Sequence, residues 1–248
     1  MEKRIILVTN DDGIEADGIR ELVKSLGSFA DVYVTAPAEQ QSAKSHGITF
    51  LRTVCVEEQE MEGAVKAYAV DGTPVDCVKV GLAILGEKGI KPDYVFSGIN
   101  MGLNTGLAAY YSGTIAAARE GALNGISSVA LSVGSHEASE FSYIIKLIPE
   151  LMEMADKVDR GVLVSANSPD FPPEEIKGYK VVEAAPFGYG EDYYFERVGK
   201  DEFQMTASVA SLNDEMKYDF DWLVEGYVAV SPIPTSMTDH ESLEKMKK

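Results

Sequence analysis

The stretch from Ile5 to Gly18 constrains this chain more than any other. It reads Ile-Ile-Leu-Val-Thr-Asn-Asp-Asp-Gly-Ile-Glu-Ala-Asp-Gly. Ile5 to Val8 are an unbroken apolar run, which suits a strand buried on both faces in a parallel sheet. Asp11 and Asp12 follow almost at once, then Gly13. In open α/β sheets, ligands bind beyond the carboxyl ends of the strands. Two adjacent carboxylates there repel each other unless a cation or a shared proton relieves them. Asn-Asp-Asp-Gly is also good turn chemistry. By itself the stretch is therefore either one corner of a divalent-metal site or a polar turn.

The chain then alternates helix and strand. Asp17 is placed to cap a helix through about Leu26, with Ile19, Leu22, Val23 and Leu26 on one face. The next strand, Val32 to Ala36, ends at Pro37. This βαβ unit of ordinary length predicts a right-handed crossover and a parallel pair. A polar loop, Ala38 to Gly47, carries Gln40, Gln41, Ser42, Lys44, Ser45 and His46, and should emerge on the sheet edge that holds Asp11 and Asp12. His46 has general acid/base or metal-ligand chemistry, although a lone loop histidine usually serves as neither. Ile48 to Leu51 and Ala67 to Val70 read as strands separated by the acidic stretch Glu57 to Glu62. Thr73 followed by Pro74 is an N-cap with proline at the first helical position. That helix runs to about Leu85, with Val75, Val78, Leu82 and Leu85 inward.

Tyr94 to Phe96 is a short apolar strand. The loop after it, Ser97 to Gly106, has three glycines together with Asn100 and Asn104. Ser112-Gly113-Thr114 then opens a helix from Ile115 to Leu123. Backbone N–H groups, hydroxyls and the positive end of a helix dipole make a phosphate cradle. Plain N-capping by Ser112 or Thr114 is the competing reading. Ser128 to Val133 is a further buried strand, Phe141 to Val158 is an amphipathic helix in which Pro149 predicts a kink or a break near Ile148, and Val162 to Ser165 is another strand. After Pro169 the alternation stops. Segments around Tyr179–Val182, Tyr193–Val198 and Phe203–Ala207, punctuated by Gly188 and Gly190, predict hairpins outside the main sheet. A late strand, Gly226 to Val230, returns to the core, and the tail from Thr238 to Lys248 reads as helix.

Composition excludes several function classes. With 248 residues, 45% of them hydrophobic, the chain can bury a sizeable core. Forty acids against 22 bases give a net charge of −18, which repels nucleic-acid polymers but not a single nucleotide held through a cation. Cys55 and Cys77 make neither a disulfide framework nor a zinc site. No apolar run spans a bilayer, and Met1 to Arg4 leave no room for a signal peptide, so a cytoplasmic protein without membrane contact is expected. There is no Gly-Lys-Ser/Thr phosphate loop, and no Gly-x-Gly-x-x-Gly follows the first strand, which argues against a dinucleotide enzyme.

Several segments, taken in order, resemble one family, the survival protein E (SurE) nucleotidases. They are Val8 to Gly13, Ala36-Pro37 with Gln41-Ser42, Gly72 to Val78, Pro92-Asp93, and Ser97-Gly98-Ile99-Asn100-x-Gly102-x-Asn104-x-Gly106. Tyr111 to Thr114 with Ala118 to Gly121, and the late Trp222 with Gly226-Tyr227-Val228, complete the set. The resemblance implies a metal-dependent phosphomonoesterase acting on nucleoside 5'-monophosphates, with 3'-monophosphates as a further class. It implies Asp11, Asp12, Ser42 and Asn100 as metal ligands, a donor set that suits one Mg2+ or Mn2+ per subunit and not zinc. Asp11 and Asp12 are the expected catalytic residues, and the free amides at the helix start make Ser112, Gly113 and Thr114, with the Asn104 side chain, the expected phosphate contacts. It also implies a homodimer or homotetramer built by exchange of C-terminal segments, here around Gly188 to Ser208. The chain departs from the family pattern in three places. Leu107-Ala108 stands where an acidic residue is common, Ala38-Glu39 replaces an acidic-then-polar or basic pair, and Ser165-Ala166-Asn167-Ser168-Pro169 replaces Asn-Val-Asn-hydrophobic-Pro.

The expectation is thus an α/β fold with a three-layer, Rossmann-like, mostly parallel sheet and a C-terminal β-hairpin extension used in oligomerisation. Residues 1–170 form the catalytic core; residues 171–248 form the extension and the returning strand and helix of the same domain. The expected activity is metal-dependent hydrolysis of nucleoside monophosphates. Adjacent acids do not fit the Asp-x-Asp spacing of aspartyl-phosphate chemistry. A nucleotide sensor of the same fold that lacks catalysis is the alternative, and Ala108 is the residue that favours it.

Overall fold

The computed structural model describes residues 3–134, 140–186, 191–209 and 217–247. Strand β1 (Ile5–Thr9) lies inside a nine-stranded sheet, with β2 (Asp31–Pro37) on one side and β5 (Tyr94–Met101) on the other, both parallel to it. Beyond β2 come β4 (Ala64–Val70), parallel, and then the edge strand β3 (Val56–Gln59), antiparallel. Beyond β5 come β6 (Ser127–Val133) and β7 (Val162–Ser168), both parallel. Strand β11 (Val228–Pro234) pairs antiparallel to β7, and β8 (Tyr179–Val181) closes that edge parallel to β11.

Alternation along the central strands builds three layers. Ile6, Val8, Tyr94 and Phe96 face helices α1 (Asp17–Gly27), α5 (Ser142–Lys146) and α6 (Ile148–Lys157) in the larger core. Leu7 and Val95 point the other way, onto α2 (Pro74–Glu87) and α4 (Gly113–Leu123). A strand with both faces covered has no place for a polar side chain, which is why β1 reads as a continuous apolar run. A four-residue helix, α3 (Ala108–Tyr111), precedes α4. The C-terminal part adds an antiparallel hairpin of β9 (Glu191–Arg197) and β10 (Phe203–Val209), then α7 (Asp219–Val224) and α8 (His240–Met246). No helix among the described residues is long and apolar enough to cross a membrane.

Several local expectations need correction. Asp17 is the first helical residue of α1; the capping position is Ala16, which has no side-chain hydrogen bond. Ile48 to Leu51 form no strand: Phe50 and Leu51 are 84% and 95% exposed and no neighbouring strand pairs with them. The strand of this region is Val56–Gln59, which runs into the acidic stretch read as a separator. It is an exposed edge, where charge is tolerated and discourages unwanted pairing. The Tyr179 segment, expected outside the main sheet, joins it through β11, whereas β9 and β10 do form a separate hairpin. Gly188 and Gly190 lie outside the described residues. Pro149 breaks the Phe141–Val158 segment at Leu147 as expected, and Thr73 caps α2 with a full capping box to Asp76.

Candidate active site

The chain leaves β1 to build β2 on one side and returns to place β5 on the other, so the gap beyond these two carboxyl ends is the topological switch point of the sheet. Asp11 and Asp12 stand there after β1, and Asn100 stands at the end of β5. The loop from Ala38 to Gly47 follows β2 to the same edge, where the Gln41 N–H donates to the Asp11 carbonyl at 2.7 Å. Gln40 Nε2 donates to Asp12 Oδ1 at 3.4 Å, and the Met101 N–H to Asp12 Oδ2 at 3.3 Å. Ser42 is exposed in that loop. Two segments far apart in sequence, the loop after β2 and the end of β5, are thus tied to the Asp11-Asp12 turn.

The two acids have different surroundings. Asp12 is half-buried, whereas Asp11 is only 4% exposed. Burial pushes the Asp11 carboxyl up to about 6; the neighbouring Asp12 charge adds to this, and hydrogen bonds from the Thr114 side chain and the backbone oppose it. Thr114 Oγ1 donates to Asp11 Oδ1 at 2.5 Å. The first turn of α4 therefore presents a hydroxyl and a dipole end to Asp11 itself. Gly113 makes the approach possible: a Cβ there would sit 2.8 Å from Asp11 Cβ and 3.0 Å from Pro74 Cγ.

The remaining candidates divide into groups near these acids and groups already engaged. The Ser112 hydroxyl caps α4 by accepting from the Ile115 N–H at 3.1 Å. Asn104 is buried; its Nδ2 donates to Ser132 Oγ and its backbone N–H to Asn167 Oδ1, both at 2.8 Å. Asn100 Nδ2 donates to the Gly102 carbonyl at 2.8 Å, so the group Asn100 can offer a cation is its amide oxygen. His46 is joined to Glu120 on α4 at 3.1 Å, and Lys79 on α2 donates to the same carboxylate at 2.7 Å. This cluster anchors the far end of the Ser42 loop.

The donors Asp11, Asp12, Ser42 and Asn100 are two carboxylates, a hydroxyl and an amide oxygen, all hard ligands of the kind Mg2+ and Mn2+ take. A buried carboxylate beside a second one, with the neighbouring Asn10 Oδ1 buried and lacking a hydrogen-bond partner among the described residues, fits a cation better than it fits a plain turn. No group of three His, Cys, Asp or Glu side chains among the described residues is arranged to hold a metal. Sequence reasoning missed Thr114 as the partner of Asp11, and Asn167 and Ser132 as the supports of Asn104. A glycine directly before Thr114 was the available signal for the first; nothing local marks the second pair.

The chain is similar to known proteins over almost its whole length. The family model described as survival protein SurE matches residues 6–191. A protein of Chlorobium chlorochromatii called 5'-nucleotidase SurE is 39% identical, the match covering 98% of this chain and 90% of the relative. One of Fervidobacterium nodosum with the same name is 37% identical over 98% and 95%. The crystal structure of the Sure protein from Aquifex aeolicus superposes with a TM-score of 0.81 at 30% identity, covering 98% of both chains.

Proposed function

The chain belongs to the survival protein SurE family, and we propose that it is a divalent-metal-dependent phosphomonoesterase that hydrolyses nucleoside 5'-monophosphates, and 3'-monophosphates as a second class. One observation carries this reading: a desolvated Asp11 beside Asp12 at the switch point of the sheet, with the Ser42 loop fastened to both residues and the Asn100 strand to Asp12. Relatives called 5'-nucleotidase supply the substrate class.

In this reading Asp11, Asp12, Ser42 and Asn100 would hold one Mg2+ or Mn2+ per subunit, which when bound would neutralise phosphoryl charge and acidify a water. Thr114 keeps Asp11 oriented and ionised through its hydroxyl. The first turn of α4, Ser112 to Thr114, and the Asn104 loop flank the phosphate end of the site. A carboxylate bound to a cation is a weak base, so Asp11 and Asp12 act by holding charge and not by removing a proton. The hairpin supports a homodimer or homotetramer. Phe195, Phe203 and Met205 lie on one of its faces and are 61%, 54% and 58% exposed, and a lone two-stranded hairpin is marginal in water.

The test is release of inorganic phosphate from AMP and GMP with Mg2+ or Mn2+, and with EDTA. Release that EDTA abolishes is expected. Tight nucleotide binding with no release under any metal would replace this reading by the sensor.

A further inference from the structure

Asp219, in the first turn of α7, is 3% exposed and far in sequence from every candidate above. Its Oδ2 accepts the Gly106 N–H at 3.0 Å, and its Oδ1 accepts the N–H groups of Ala185 at 3.0 Å and Phe220 at 2.9 Å. Gly106 ends the loop that carries Asn100 and Asn104, and leads directly into α3 and the start of α4. Ala185 stands where the chain departs for the hairpin, and Asp219 and Phe220 stand where it comes back. The Asp219 N–H also donates to the Glu183 carbonyl at 3.1 Å, fastening the two roots together. Burial pushes the Asp219 carboxyl up, and the three N–H donors work against that. Three backbone donors converging on one buried carboxylate need that acceptor, because an unpaired buried N–H is costly.

We infer that Asp219 is a positioning residue that pins the Gly106 end of the site loop to the root of the C-terminal extension, so that the seating of the extension sets the geometry of the phosphate end. The word "site" here rests on the nucleotidase reading; the clasp itself does not.

Asp219→Asn tests it. Asparagine keeps one acceptor and gains a donor. With Oδ1 turned to Ala185 and Phe220, its Nδ2 meets the Gly106 N–H, donor against donor, and the loop contact is the one lost. Asp221→Asn is the comparator: Asp221 caps the same helix by accepting the Tyr218 N–H at 2.8 Å. Both variants are expected to lower the Tm. Only Asp219→Asn should speed amide hydrogen exchange at Gly106 and raise the KM for AMP, each by at least about tenfold, the scale of a lost hydrogen bond to a charged group. Asp219→Glu keeps both acceptor oxygens and is expected to restore most of the protection at Gly106. Equal losses of Tm in the two asparagine variants, with exchange at Gly106 and KM unchanged, would overturn the inference, as would wild-type exchange and KM in both Asp219 variants. Exchange at Gly106 is read without substrate, so a wild-type protein that released no phosphate would remove the nucleotidase reading and leave the clasp standing.

Discussion

At the scale of single residues, Asp11 is a carboxyl whose charged form burial disfavours. Its folded pKa, about 6, lies above the ordinary 3.8. The folded state therefore binds more protons than the unfolded chain between about pH 4 and pH 6, and the metal-free protein loses stability as pH rises through that window. Asp11→Asn removes the desolvated charge and keeps an acceptor for Thr114. In EDTA at pH 8 the variant should be more stable than the wild type by on the order of 2–3 kcal/mol, with the gap narrowing toward pH 5, while metal-dependent phosphate release falls to background. Thermal unfolding at the two pH values and a phosphate assay check both halves. Metal binding must displace the same proton, so metal affinity should weaken as pH falls through about 6; calorimetric titration with Mn2+ reads this. Gly113→Ala is the steric counterpart. Its Cβ meets Asp11 and Pro74, so a loss of about 1–3 kcal/mol is expected despite the better helix former, together with a drop in kcat/KM of at least tenfold.

At the scale of elements, the start of α2 is an anchor as well as a helix end. Thr73 Oγ1 accepts from the Asp76 N–H at 3.1 Å and donates to the Gly47 carbonyl at 2.7 Å; the Asp76 carboxylate accepts from the N–H groups of Thr73 and Thr49 at 2.9 and 3.0 Å. Helix and loop are fixed by the same two side chains. Thr73→Ala should cost about 1–2 kcal/mol and also loosen the Ser42 loop, seen as weaker Mn2+ affinity beside the lower Tm. This helix start was legible in the sequence because capping is local: Thr73, Pro74 and Asp76 are neighbours. The central strands were legible for a similar reason, since burial on both faces leaves a continuous apolar signature. Ile48 to Leu51 misled because an apolar run says nothing about whether a partner strand exists, and Val56–Gln59 was missed because an exposed edge strand can be acidic. Within the site, Asp11 and Asp12 stood out by adjacency. Asn167 under Asn104 and Asp219 under Gly106 did not, because only the folded chain brings them together.

At the scale of the whole molecule, the nine-stranded sheet carries the candidate site, and β9 and β10 pair with each other as a separate sheet. The apolar hairpin face gives a direct expectation: Phe195→Glu with Phe203→Glu should shift a dimer or tetramer to monomer in size-exclusion chromatography with light scattering, and a variant that kept the wild-type mass would remove the hairpin from the interface. The place of β1 has another consequence, for synthesis. It leaves the ribosome before both of the strands that flank it, and its Ile6 pairs with both Val32 and Tyr94. One edge of this apolar strand is filled early, while the other stays open until β5 has been translated. A nascent chain stopped before Tyr94 carries both acids and the Ser42 loop but presents a bare strand edge, the kind of surface that chaperones cover or that aggregates. Placing the acidic pair directly after a strand flanked on both sides thus sets a long vulnerable interval in every round of production of the protein.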